Sequence, residues 1–184
     1  MADPMPQPDT EQGILARMLG EVDRRLRELE APSGTQRNLV LRDLTETVEM
    51  LRAVADVRYA EFTDQKQLSQ GSWAAGMPAV QVTSPTGRIE ITFGGSVNNG
   101  DGYFCYTITG QNAGVIVTRD SVRENPARRV GVSGGATFQP TGYKTVILQV
   151  PIGEPVTVRL EVLAVNAYPN LYVFGGSVSA RVAP

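Results

Sequence analysis

Apolar residues follow two different periods along the chain. In the first stretch Leu15, Leu19, Val22, Leu26 and Leu29 recur at alternating spacings of four and three, which puts them on one stripe of a helix. The pattern predicts a helix over residues 9–30, capped by Asp9 or Thr10 and stopped by Pro32 and Gly34. Leu19 and Leu26 take the a positions of a heptad and Leu15, Val22 and Leu29 the d positions. Arg25 then falls at g and Glu30 at the following e. A second helix is predicted from residue 41 or 43 to 64, with Leu41, Leu44, Val48, Leu51, Ala55 and Phe62 on its seam and Arg58 as the polar intruder. Val54 and Val57 widen its apolar face. The narrow stripe of the first helix would bury little on a lone helix, so its seam calls for a partner. Residues 31–37 read as a bend. Two helices in series with a bend make either a hairpin that closes its own seam or a jointed stalk that recruits other chains.

From Ala79 onward the period changes to two. Val80 and Val82 precede a turn signal at residues 84–87; Ile89, Ile91 and Phe93 then alternate with Arg88, Glu90 and Thr92. Phe104, Tyr106 and Ile108 form the next apolar face. Val115 with Val117, Val130 with Val132, and Val146, Leu148 and Val150 continue it. Residues 151–155 turn the chain into Val156, Val158, Leu160 and Val162, and the last strand carries Val173, then Val178, Ala180 and Val182 beyond Gly175-Gly176. No segment of 10–15 residues with helical period separates these strands, so a parallel α/β sheet is excluded and a sandwich or jelly roll follows. Residues 103–106 and 162–165 are apolar on both faces, more than a sheet with one solvated side needs. The expectation is that a second subunit or the helices cover one of them.

Composition sharpens this division. Up to Gly71 there are nine basic and thirteen acidic residues, and beyond it eight and six. Two glycines and a proline in residues 71–78 mark a linker, with Trp73, the only tryptophan of the chain, plugging the junction between the halves. Among 184 residues there is no histidine, which removes the usual neutral-pH base and the usual zinc ligand. One cysteine allows neither an intrachain disulfide nor a thiolate cluster. A net charge of -2 makes no case for nucleic acid. The apolar runs are too short to span a bilayer and no basic-then-apolar leader opens the chain. The reading is a soluble protein with no membrane insertion, no cofactor and no metal.

Candidate chemistry is therefore limited to carboxylates, rings and guanidinium groups. Residues 98–102 collect oxygen ligands that could hold calcium beside Glu90 or Asp120, but Asn-Gly is equally a hairpin turn and the EF-hand spacing is missing. The glycines of residues 94–96 and 131–135 lack the following helix and Lys-Ser/Thr of a phosphate loop. Asp101 with Glu90, or Asp120 with Glu124, would be the carboxylate pairs of a glycoside hydrolase, though no cleft is visible in the sequence. Arg123, Arg128 and Arg129 form a polar loop suited to an anionic surface polymer or simply to solubility. Tyr103, Tyr143, Tyr168 and Tyr172 include rings beside turns, placed to stack on sugars or to cap the core. Arg128, Arg129, Tyr143 and Tyr168 are the candidate surface-ligand contacts. Cys105 reads as a small buried hydrophobe.

The layout resembles the short minor tail or fibre proteins of bacteriophages that infect actinobacteria. The resemblance is carried by the charged coil EVDRRLRELE at residues 21–30, the opening strand VQVTSPTGRIEI at 80–91 and the segment PIGEPVTVRL at 151–160. It implies a homotrimeric virion structural protein that assembles in the host cytoplasm and in some cases touches the host envelope. The expected fold class is α+β: an N-terminal helical coiled-coil stalk followed by an all-β antiparallel sandwich of jelly-roll type. Residues 1–10 would be a docking peptide onto other virion proteins, 11–70 the helical oligomerisation region, 71–78 the linker and 79–184 the sandwich. Leu15, Leu19, Val22, Leu26, Leu29, Leu44, Val48, Leu51 and Phe62 would form the oligomer seam. The expected function is a non-enzymatic tail or fibre component. The alternative is a carbohydrate-binding module on an oligomeric stalk, with a host cell-surface glycan as the partner.

Overall fold

The computed structural model describes residues 11–29, 34–136 and 139–183. Side chains at 11–15, 28, 29, 34–37, 53 and 54 fall outside that description, as does the expected docking peptide at residues 1–10, so Leu15 and Leu29 of the expected seam are not placed. The chain divides into a helical unit up to Ala55 and a β unit over Asp56–Ala183.

In the helical unit α1 (Glu11–Leu29) packs on α2 (Gly34–Ala55). Arg25 joins them: its guanidinium pairs with Asp43 of α2 and, at 2.6 Å, with Glu21 one turn back. Glu21 also holds Arg24 at 2.6 Å, and these two guanidinium groups, Arg24 first, bring its carboxyl down to about 2. Val22, Leu44, Val48 and Leu51 are half-buried and Val40 is buried, whereas Leu19 and Leu26 are 59% and 47% exposed. The hairpin is thus closed on the Val22–Arg25 side of α1, and the a-position leucines face away from it. The expected coiled-coil stalk is corrected here. Nineteen residues amount to less than three heptads, and α1 takes its partner from its own chain.

The second helix ends at Ala55, where the sequence pattern carried it to residue 64. Residues 58–62 are instead β1 (Arg58–Phe62) and residues 66–68 are β2 (Lys66–Leu68). Arg58, Ala60 and Phe62 fit a period of two as well as the four-residue step of a helix, and pairing with a long strand of the β unit decides between them. Arg58 pairs with Asp56 at 2.5 Å and Phe62 is part of the sheet of the β unit, so neither belongs to a helical seam.

The β unit continues with β3 (Ala79–Thr83), β4 (Arg88–Gly110), β5 (Gly114–Val117), α3 (Arg119–Glu124), β6 (Val130–Gly134), β7 (Thr141–Gln149) and β8 (Pro155–Val182). Its frame is the antiparallel pairing of the two longest strands, β4 and β8, from Ile89 opposite Val182 to Gly110 opposite Val156. Both bend midway, where the register shifts at Ser96/Val97, Asn98/Gly100 and Asp101/Gly102. On one side of the bend a first sheet runs β7, β4 (88–96), β8 (175–182), β1; on the other a second sheet runs β5 and β6, β4 (100–110), β8 (156–167), β3. Every one of these pairings is antiparallel.

The two sheets meet face to face. Ile89, Ile91, Phe93, Val178 and Val182 line the inner side of the first, and Phe104, Tyr106, Ile108, Val158, Leu160 and Val162 that of the second. Phe93 meets Tyr106 edge-on with ring centroids 4.9 Å apart. Each fully buried Val, Leu, Ile or Phe contributes about 1.5–3 kcal/mol, so this layer supplies the main stabilisation of the unit. Inward positions are odd-numbered from 89 to 97 and even-numbered from 102 to 110. The inserted residue of a β-bulge produces that change of parity. Residues 98–102, read from sequence as a hairpin turn, are this bulge. Asn99 has φ 67° and Gly100 φ 149°, and a Cβ on Gly100 would run into the Asn166 carbonyl oxygen.

The second apolar face of residues 103–106 and 162–165 is covered by the same chain. Val122 of α3 is fully buried against β4, Cys105 and Leu163 are buried with it, and Trp73 lies in a bridge opposite Leu163. The strip 71–78, expected as a linker, runs along β8 by backbone bonds between Gly71 and Ala164 and between Ala74 and Val162, each 2.8 Å.

Gly95 gives a direct test of the face-to-face packing. Its Cβ would stand 2.6 Å from the Phe104 ring and strike the Gly175 carbonyl oxygen. Gly95→Ala should cost on the order of 1–3 kcal/mol in urea unfolding; a variant as stable as the parent would mean that the sheets are further apart than described.

Candidate binding face

Alternation that buries one face of the first sheet presents the other to solvent. On that outer face two rows of side chains cross the four strands. One row is Tyr59 (β1), Ser179 (β8), Thr92 (β4) and Thr145 (β7); the next is Glu61, Ser177, Gly94 and Tyr143 on the same strands. With neighbouring strands about 4.8 Å apart, the outer two are separated by about 14 Å.

The middle of this face is small and hydroxylated. Thr92 and Thr145 share a hydrogen bond of 2.8 Å, Ser177 and Ser179 stand on β8, and Gly94 has no side chain. The two ends are aromatic. Tyr143 is 53% exposed and its ring leans over Gly94, where a Cβ would be 2.8 Å from ring carbon Cδ1. Tyr59 is 59% exposed, and its hydroxyl donates to Glu61 at 2.5 Å. That hydrogen bond, more than desolvation, raises the phenol above its ordinary value. Beside the rows Glu90 accepts from Arg181 at 2.9 Å, and Ile147 is exposed on β7. The face therefore offers two rings, a floor of hydroxyl donors and acceptors, the Glu90–Arg181 pair and the Glu61 carboxylate held by the Tyr59 hydroxyl.

The other sequence candidates lie elsewhere. The Arg129 guanidinium stacks 4.1 Å above the Tyr103 ring on the second sheet and donates to the Arg123 carbonyl. Arg128 is exposed in the preceding turn. That turn is tied to β7 by Lys144, whose Nζ donates to the carbonyls of Pro126 at 2.9 Å and Arg129 at 3.1 Å. Tyr168 is 73% exposed in the middle of β8, near the bend, where its carbonyl accepts from Asn99. Of Arg128, Arg129, Tyr143 and Tyr168, only Tyr143 stands on the hydroxylated face. The ring that joins it there, Tyr59, was missed because residues 58–62 were read as helix. The alternation of Tyr59 and Glu61 with Ala60 and Phe62 was the available signal.

Carboxylates considered for catalysis or calcium are occupied. Asp101 accepts from Ser133 and, at 2.6 Å, from Asn166 Nδ2; Glu90 is held by Arg181; and Asp120 and Glu124 both pair with Arg123, at 3.7 Å and 3.3 Å. Among the described residues no group of three or more Asp, Glu, Cys or His side chains gathers to hold a metal ion, and no helix is long and apolar enough to cross a membrane. The Cys105 thiol is pushed up to about 12 by burial, which leaves it un-ionised and unsuited to nucleophilic attack.

Comparison with known proteins finds no matching family model and no matching curated protein. Among solved structures the chain is similar to the CBM22-1 xylan-binding domain of Paenibacillus barcinonensis Xyn10C, at 11% identity over 70% of this chain and 83% of that one, with a TM-score of 0.36. It is similar to the Eiger TNF of S. frugiperda at 10% identity over 69% and 92%, TM-score 0.40. It is also similar to the carbohydrate-binding module CBM6cm-2 of Cellvibrio mixtus lichenase 5A, solved with cellotriose, at 14% identity over 71% and 99%, TM-score 0.33. Likeness at this level transfers neither ligand nor activity. None of these named matches is a phage protein, and the expected kinship with phage tail and fibre proteins is corrected on the helices, since the coiled-coil stalk that carried the resemblance is a two-helix hairpin of nineteen and twenty-two residues. The virion, tail-fibre and trimer readings go with it.

Asp101 sits at the bend of β4, and its bonds tie in β6 and β8. Ser133 first, then Asn166, hold its carboxyl below the usual carboxylate value. With the folded-state value depressed, this contribution is complete above the ordinary carboxylate pKa and is lost as pH falls through the depressed one. Asp101→Asn should lower stability at pH 7 by on the order of 1 kcal/mol, a figure reduced for the solvent exposure of the site. The gap between variant and parent in thermal unfolding should close as the pH is taken below the ordinary carboxylate range.

Proposed function

We propose that the β unit is a non-enzymatic carbohydrate-binding module that uses the outer face of its first sheet. The observation that supports this is the pair of half-exposed rings, Tyr59 and Tyr143, set at either side of the Thr92, Thr145, Ser177 and Ser179 hydroxyls.

A sugar ring has an apolar C–H face and an equatorial rim of hydroxyls. The first is complementary to a tyrosine ring, and the second to short hydroxyl side chains that both donate and accept. A sheet face spanning about 14 Å between its outer strands admits a chain of sugars rather than a single one. Pre-organisation favours binding. Tyr143 is braced on the Gly94 backbone and Tyr59 is tethered through Glu61, so little rotamer freedom is left to lose. Glu90 is paired with Arg181, and the Glu61 carboxylate at the β1 end, which accepts the Tyr59 hydroxyl, adds a further acceptor for sugar hydroxyls.

Isothermal titration against soluble neutral polysaccharides, with xylan and cello-oligosaccharides among them, tests the reading. The parent should bind at least one saturably. Tyr59→Ala and Tyr143→Ala should each weaken binding on the order of tenfold, the equivalent of about 1.4 kcal/mol, and Tyr143→Phe should retain most of it. Equal affinity in the parent and both alanine variants would remove this face as the site.

A further inference from the structure

The outer face of the second sheet carries a groove of its own, and its charge is not balanced. About 250 Å³ of space is lined by Thr107 and Thr109 of β4 and by Thr157, Arg159 and Glu161 of β8. Thr107 stands opposite Arg159 and Thr109 opposite Thr157, which forms two polar rows.

Its acidic member has a cationic partner. Glu161 is only 8% exposed; its Oε1 accepts the Thr107 hydroxyl at 2.6 Å, and its Oε2 lies 3.8 Å from the Arg119 guanidinium of α3. Arg119 is itself fixed, stacked 4.7 Å over the Trp73 ring. Its basic member is not satisfied. Arg159 is exposed, and no described carboxylate comes within ion-pair distance of it. The groove thus presents one uncompensated guanidinium amid three threonine hydroxyls, with a neutralised carboxylate two residues along the strand.

We propose that this groove is a second binding site, for a uronate residue of an acidic polysaccharide. The sugar carboxylate pairs with the Arg159 fork, and ring hydroxyls bond to the threonines and donate to Glu161. A planar carboxylate accepts two parallel bonds from a guanidinium. Arg159 and Glu161 point to the same face at i and i+2, about 7 Å apart along the strand, which is the scale of one pyranose ring with its substituents. Beside the carboxylate that Arg159 binds, the uronate ring supplies hydroxyl donors for the remaining lone pairs of Glu161. The site stands on residues other than the Tyr59 and Tyr143 face and does not depend on it.

Titration of the full-length protein with trigalacturonate, followed by calorimetry and by amide NMR shifts, tests the assignment. Saturable binding should shift the amides of Thr107, Thr157 and Arg159 and should weaken as sodium chloride is raised. Arg159→Gln should lower affinity at least tenfold with an unchanged NMR fingerprint elsewhere, and Arg159→Lys should fall between it and the parent. Tyr143→Ala should bind trigalacturonate as the parent does, so loss of neutral-glycan binding alone strikes only the first face. The proposal is overturned if the folded parent shows no saturable binding, if Arg159→Gln binds equally well, or if inorganic phosphate competes as strongly as the uronate.

Discussion

The antiparallel pairing of β4 with β8 is the interaction on which the rest of the β unit depends. These two strands are hydrogen-bonded from Ile89 opposite Val182 to Gly110 opposite Val156, and each shorter strand of the unit pairs with one or the other. A ribbon of that length has one long apolar face to bury. Bending it at residues 96–102 brings one face onto itself, so that Phe93 reaches Tyr106 and the glycine at 95 lies under Phe104. The bulges there have a double role, since they turn the chain and shift which residues point inward.

The outer faces follow from the same bend, but they differ in character. On the first sheet the space over Gly94 admits the Tyr143 ring, and the partner strand β1 brings Tyr59 to the other side. On the second sheet half of the outer face is closed by α3 and by the strip carrying Trp73, with Arg119 held between the indole and Glu161. What stays open beyond this clamp is the threonine groove with Arg159. One face thus carries two aromatic rings and the acidic Glu61, and the other carries threonines and the basic Arg159. A single sandwich can in this way offer two chemically distinct surfaces without a deep cleft.

Where local pattern and long-range pairing agreed, the sequence was a good guide. Strands β3 and β7, the first half of β4 and the first half of β8 were legible because Val80 and Val82, Ile89 to Phe93, Val146 to Val150, and Val156 to Val162 alternate with polar residues over enough positions to specify a period. The pattern failed where the segments were short or the local signal was ambiguous. Five residues at 58–62 satisfy both periods, and β8 chose the strand, which hid Tyr59. Asn99-Gly100 has the composition of a hairpin turn, and β8 on the other side made it a bulge instead. The six residues of α3 are too few for helical periodicity to show. The doubly apolar strands were rightly seen to need a cover, but sequence could not say that Val122 and Trp73 of the same chain provide it.

By itself, the sequence determined a helical first part and an antiparallel β second part, a chain without histidine chemistry or disulfides, and the inward residues of most strands. These depend on side-chain type and on neighbours a few positions apart, which a sequence displays directly. Only the tertiary structure decided that the helices close on each other, that Tyr59 joins Tyr143 across 84 residues of chain, and that Arg159 is left unpaired while Glu161 is not. Those outcomes turn on which distant strand or helix competes for each face, and that competition is settled by burial and by hydrogen-bond register between segments that have no proximity along the chain.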